Sequence, residues 1–200
     1  MSTTLLFVEI LLIGLQSGVW IIFLVLVLWG NDFLKLLENV WLSDINIAIG
    51  LIIISFLYTI GIVIDRIADT IFERWYTGLK NKVFPSRKTP TQKMRFELSK
   101  SNPELANNMY YARSRIRIAR ASVVNFILIT MFSLMYVVTR IPPSANRNVL
   151  AVYILVIGLT LTASVIWAWK KLSVSFLYYL KNYDDSDDLE LKRKSVKKRK

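Results

Sequence analysis

The chain has 200 residues, of which 54% are hydrophobic, a mean hydropathy of +0.43, and a formal net charge of +12 from 26 basic and 14 acidic side chains. A soluble domain of this size cannot bury that much apolar surface in one core. The sequence contains no cysteine and no histidine, which excludes disulfides, thiolate metal sites, thiol nucleophiles and imidazole acid–base chemistry.

A helix needs about 20 apolar residues to cross roughly 30 Å of hydrocarbon. Four stretches meet this requirement: residues 5–29, 45–64, 121–139 and 149–169. A spanning segment must satisfy its backbone internally, and none of these shows the alternation of a barrel strand. The expected fold class is therefore an all-α integral membrane protein with four transmembrane helices.

The first stretch is too long for a signal-peptide core and has no basic residues ahead of it, so it reads as a retained helix. It is interrupted by Glu9, Gln16 and Ser17. Ionisable residues within a span are costly and often functional. The structural reading of Glu9 is an ion pair with Arg66 or Arg120, and the functional reading is a proton or cation site. Gln16, with Asn125 of the third stretch, has the chemistry to hydrogen-bond between helices. Gly14 and Gly18 form a small-xxx-small pair that permits close helix approach, either within the chain or between copies. The link at 30–44 is amphipathic, with Leu34, Leu37 and Trp41 on one side, and suits a short helix lying in the outer interface.

The helical pattern of the second stretch continues past residue 64, with no breaker before Gly78 and Pro85. A polar cap at Ser101 and Asn102, then Pro103 and Glu104, predicts a helix start that leads into the third stretch. Spans two and three, and with them span four, are thus expected to extend into a cytoplasmic helical hairpin or bundle over residues 65–120, with a tip loop at 83–100. Asp65, Asp69 and Glu73 share one helix face, as do Arg113, Arg117 and Arg120. Antiparallel register predicts a charge zipper of Asp65 with Arg120, Asp69 with Arg117, and Glu73 with Arg113. Phe72, Ile116 and the small Ala68 are expected to pack beside it. The alternative is a switch, or a site where an anionic ligand displaces the carboxylates.

After the fourth stretch, Lys170 and Lys171 read as snorkelling residues. Residues 170–183 read as a helical extension that packs Phe176, Tyr179 and Leu180 on the hairpin. Residues 184–200 turn from acidic to basic and read as a disordered tail.

Basic residues set orientation. Residues 65–120 hold thirteen Lys/Arg and residues 170–200 hold ten, against one in 30–44 and two in 140–148. Both termini and the long central connection are therefore expected on the cytoplasmic side. The domains expected are residues 1–64, 65–120, 121–169, 170–183 and 184–200.

No catalytic, cofactor-binding or metal-ligating motif is present, so the chain reads as a non-enzyme without cofactors. The expected function is to anchor, recruit or signal to a cytoplasmic protein partner. The bilayer and its anionic headgroups are met by Arg87, Lys88, Lys93 and Arg95 at the tip and by Lys192, Arg193, Lys194, Lys197, Lys198, Arg199 and Lys200 in the tail. Nucleic acid is a partner only through that basic tail or through another protein. The alternative is an oligomeric pore or membrane-perturbing effector. In architecture alone, without a shared motif, the layout resembles small four-span components of bacterial anti-phage systems such as Kiwa. That resemblance implies a bacterial cell membrane, homo-oligomers and antiviral defence.

Overall fold

The apolar stretches and their polar continuations form four helices in the computed structural model: α1 (Thr3–Trp29), α2 (Ile47–Val83), α3 (Pro103–Arg140) and α4 (Ala145–Lys197). The structure describes the backbone of residues 3–30, 32–33, 35, 47–85 and 103–197, and side chains over 6–30, 32–33, 35, 49–85 and 107–181. Among these residues there is no strand. Of the link expected at 30–44 as a short helix, residues 32, 33 and 35 are described and helical, while residues 34, 36–44 and the tip from 86 to 102 lie outside the described residues. All four helices are long and apolar enough to cross a membrane. At 1.5 Å per residue, the 37 residues of α2 and 38 of α3 reach about 55 Å, well beyond the hydrocarbon thickness.

Local chemistry sets the ends. α2 passes through Gly78 and stops at Val83, because Pro85 disfavours helical geometry at the residue before it. α3 starts at Pro103, whose missing N–H is no loss in a first turn. Ser144 caps α4, its Oγ accepting from the Arg147 N–H at 3.2 Å. α1 ends on Gly30 in the left-handed region (φ 62°), where the Gly30 N–H bonds the Leu26 carbonyl at 2.9 Å. The Arg140 guanidinium then donates to the carbonyls of Val27 and Leu28, two acceptors without an intrahelical partner.

The fourth helix corrects one expectation. It runs to Lys197, through the segment read as a disordered tail. That segment lacks Gly and Pro and sets Asp188 and Glu190 four residues before Lys192 and Lys194, a spacing that supports a helix. Composition alone understated this local preference.

α1 packs against α2 and α3, and α4 packs mainly against α3 and less against α2. One core joins α1, α2 and α3 through Ile13, Ile64, Ala68 and Ala121. A second joins the polar halves of α2 and α3 to α4 through Phe72, Met109, Ile116, Val123, Trp169, Phe176 and Leu180. Phe72 meets Trp169 edge-on at 4.6 Å and Trp75 at 5.2 Å, pairs that contribute about 0.5–1.5 kcal/mol each beyond burial. Tyr179, expected in this contact, is instead 41% exposed. Trp169 is buried in the second core, and the Trp20 indole N–H donates to Asn125 Oδ1. Trp29 and Trp167 are exposed, and Trp41 lies outside the described residues. Around the apolar halves the large side chains face outward, including Leu15, Ile22, Leu51, Ile52, Phe56, Val152, Leu155 and Leu159.

Two glycines set the crossing of α1 over α2. A Cβ on Gly14 would collide with the Leu57 carbonyl, and one on Gly61 with the Ile10 carbonyl. The Gly14–Gly18 pair therefore serves packing within the chain. Gly78 has open space around it. Gly61→Ala is expected to destabilise the fold by about 1–3 kcal/mol through overpacking. Gly78→Ala is expected to stabilise by up to about 1 kcal/mol through helix propensity. Thermal unfolding in detergent, followed by circular dichroism, checks this; equal shifts for the two would disprove the glycine crossing.

Candidate functional site

The polar chemistry of the described residues gathers where the apolar stretches of α1, α2 and α3 end. Arg117 Nη1 lies 3.2 Å from Glu9 Oε2, and Arg117 Nε lies 3.9 Å from Asp65 Oδ1. Arg120 pairs with Asp65 at 3.4 Å and with Asp69. Three carboxylates from α1 and α2 thus hold two guanidinium groups from α3. Glu9 and Asp65 are 4% and 7% exposed, while the Asp69 side chain is half exposed. Burying charges like Glu9 and Asp65 is tolerable because they are paired.

The predicted zipper forms only in part. Asp65 meets Arg120 as expected. Arg117, however, turns from Asp69 to Asp65 and Glu9, and Asp69 goes to Arg120. Glu73 and Arg113 are both exposed, and no ion pair joins them among the described residues. The cause is the third helix in the contact. α1 supplies Glu9, a partner for Arg117 that a two-helix register omits. The same fact moves the Glu9 partner from the expected Arg66 or Arg120 to Arg117.

Next to this network, a buried hydrogen-bond cluster fastens α1 to α3. The Asn125 amide donates to the Ile13 carbonyl at 3.2 Å and to Gln16 Oε1 at 3.4 Å. Asn125 Oδ1 accepts from Ser17 Oγ at 3.0 Å and from Trp20 Nε1 at 3.1 Å. Ser122 Oγ donates to Gln16 Oε1 at 2.9 Å. Gln16 and Asn125 were expected to act between helices, and they bond each other. Ser17, Trp20 and Ser122 were not expected in this role. Their signal in sequence was only a helical spacing shared with Gln16 and Asn125.

A polar cleft of about 570 Å³ opens beside the charge network, between α2, α3 and α4. Its lining includes Arg66, Asp69, Thr70, Glu73, Tyr76, Lys80, Arg113, Arg117, Arg120 and Trp169. Arg115 stacks on Tyr111 at 5.7 Å, and Lys171 on Trp167 at 5.0 Å. Among the described residues no group of three or more carboxylates is placed to hold a metal ion. Arg87, Lys88, Lys93, Arg95, Lys198, Arg199 and Lys200 lie outside the described residues. Lys192, Arg193, Lys194 and Lys197 lie on α4, their side chains undescribed.

Among the described residues the geometry therefore defines a helical fold with four helices long and apolar enough to cross a membrane and a charge network where the apolar stretches of three of them end. No family model, no curated protein and no solved structure matches the chain.

Two experiments test the site. A double-mutant cycle on Asp69 and Arg120 is expected to give a coupling of about 0.5–1 kcal/mol, and one on Asp69 and Arg117 close to zero; the reverse order would restore the predicted zipper. Asn125→Leu, which strands the Trp20 indole N–H while Ser17 keeps the Ile13 carbonyl and Gln16 keeps Ser122, is expected to cost about 1–2 kcal/mol and to shift Trp20 fluorescence. Unfolding in detergent reads the first quantity and emission maxima the second.

Proposed function

We propose that the chain is a non-enzymatic, multi-pass membrane protein that recruits a cytoplasmic protein through the polar bundle of α2, α3 and α4. The observation that carries this reading is the contrast between the two halves of the same helices. Over one half, large apolar side chains face outward, as lipid contact requires. Over the other, the helices carry charge and are tied by a core of their own around Phe72, Ile116, Trp169 and Phe176.

The distribution of basic residues supports both termini and the bundle on the cytoplasmic side. One detail strengthens it. Of the two arginines in the link at 140–148, Arg140 is engaged in capping α1, so it is explained without reference to topology. The basic tip and tail then offer the partner, or anionic headgroups, a dense positive surface.

A second reading is an oligomeric pore or membrane-perturbing effector, as in an anti-phage system. It is favoured by α4, whose apolar half leaves Val149, Val152, Tyr153, Val156 and Leu159 exposed and so has room for another copy.

The recruiting reading predicts that the chain resists carbonate extraction from membranes. It also predicts that deleting residues 184–200, or reversing Arg87, Lys88, Lys93 and Arg95, abolishes co-purification of a cytoplasmic protein. Unchanged co-purification would overturn it. Oligomers that conduct ions in liposomes would instead establish the pore.

A further inference from the structure

The charge network leaves a cation over. Arg66 lines the cleft, is exposed, and forms no ion pair among the described residues. Its neighbours explain why no carboxylate holds it. Asp65 and Asp69, the acids nearest along α2, are already turned to Arg117 and Arg120. With Glu9, which holds Arg117 from α1, the cleft sets five basic side chains (Arg66, Lys80, Arg113, Arg117 and Arg120) against four acidic ones, an excess of one positive charge.

Position adds to charge. Arg66 follows Asp65 at the end of the apolar run of α2, at the level where the charged residues of α3 begin with Arg120. One and two helical turns before Arg66, on its own face, lie Ile62, Val63 and Thr59, all exposed. An exposed apolar stripe that ends in an uncompensated guanidinium, beside a positive cleft, matches one chemistry. It is an amphiphile with an apolar tail and an anionic phosphate.

We propose that Arg66 and the cleft behind it form a site selective for an anionic phospholipid, with the phosphate on the Arg66 guanidinium and an acyl chain along Thr59, Ile62 and Val63. The inference rests on the membrane reading above. A zwitterionic lipid places its own cation against the positive cleft, whereas a net negative headgroup does not, and this difference is the source of selectivity. Lys80 and Arg113, farther along the cleft, strengthen the field without touching the phosphate.

The test uses the full chain reconstituted in phosphatidylcholine vesicles containing phosphatidylglycerol, then extracted and weighed by native mass spectrometry with its retained lipids. Wild type is expected to enrich phosphatidylglycerol over phosphatidylcholine. Arg66→Gln is expected to lower that enrichment about fivefold, the loss of one cationic contact at an anionic headgroup, and Arg66→Lys to retain most of it. Helix content by circular dichroism is expected to be unchanged, because the side chain is exposed and makes no ion pair. Neutralising Arg87, Lys88, Lys93 and Arg95 is expected to leave the enrichment in place.

Equal enrichment in wild type and Arg66→Gln, or loss of enrichment in the tip variant alone, would overturn the assignment. So would a wild type without enrichment whose unfolding temperature in detergent rises with millimolar inorganic phosphate when that of Arg66→Gln does not, since the ligand is then free phosphate. A chain that fails to enter vesicles overturns the membrane reading and this inference with it. A chain that enters fully but shows no lipid preference overturns this inference alone.

Discussion

Two arginines on one helix, three residues apart, sit where its apolar stretch begins, and each brings a positive charge there. Each must be hydrated or matched by an acid. Here the matching is done by three carboxylates on two other helices, with Glu9 from α1 and Asp65 and Asp69 from α2. This requirement fixes how three helices stand relative to one another at one level. Their rotation and stagger follow from it: Glu9 must face Arg117, so Gln16 and Ser17, two turns on, face Ser122 and Asn125.

The same level divides each helix into two kinds of surface. On the apolar side, contacts between helices depend on small residues and on a few internal hydrogen bonds. In the bilayer we propose for this half, packing one apolar face on another brings little hydrophobic gain. Gly14 and Gly61 let the backbones of α1 and α2 touch, and Asn125 ties α1 to α3. On the polar side the rule reverses. Large aromatic and aliphatic side chains, Phe72, Met109, Trp169, Phe176 and Leu180, come together because water makes their burial favourable. α4 joins α2 and α3 in this second core and meets α3 again in its apolar half, where Gly158 lies against Thr130, while most of that half stays exposed.

Much of the plan was legible along the chain, and the reasons differ by residue. The close approach at Ala68 and the burial of Phe72 and Ile116 followed from helical period and residue size, which act locally. Asp65 with Arg120 followed from antiparallel register. Asp69 with Arg117 did not form, because a two-helix register contains no place for Glu9. Trp169 stands at the end of an apolar run, where interfacial rings are common, yet it lies 3% exposed against Phe72. Position along a helix gives depth but not rotation, and rotation decides whether a ring faces lipid or core. Ser17 and Ser122 had no distinguishing sign, since a serine in a span usually satisfies itself on its own helix.

Composition and pattern were enough to establish the four long apolar helices, the polar continuations of the second and third, the proline at the start of α3 and the stop before Pro85. These rest on propensity, hydropathy and capping, all of which act within a few residues. The partners of Glu9, the α1–α3 hydrogen-bond cluster, the capping of α1 by Arg140 and the uncompensated Arg66 came only with the packed arrangement. Each depends on which of several chemically equivalent groups is nearest once three helices are placed side by side. The sharpest case is Arg66 and Arg117. Both are arginines near the end of an apolar run, and only the third dimension shows that Arg117 is held by two carboxylates and Arg66, among the described residues, by none.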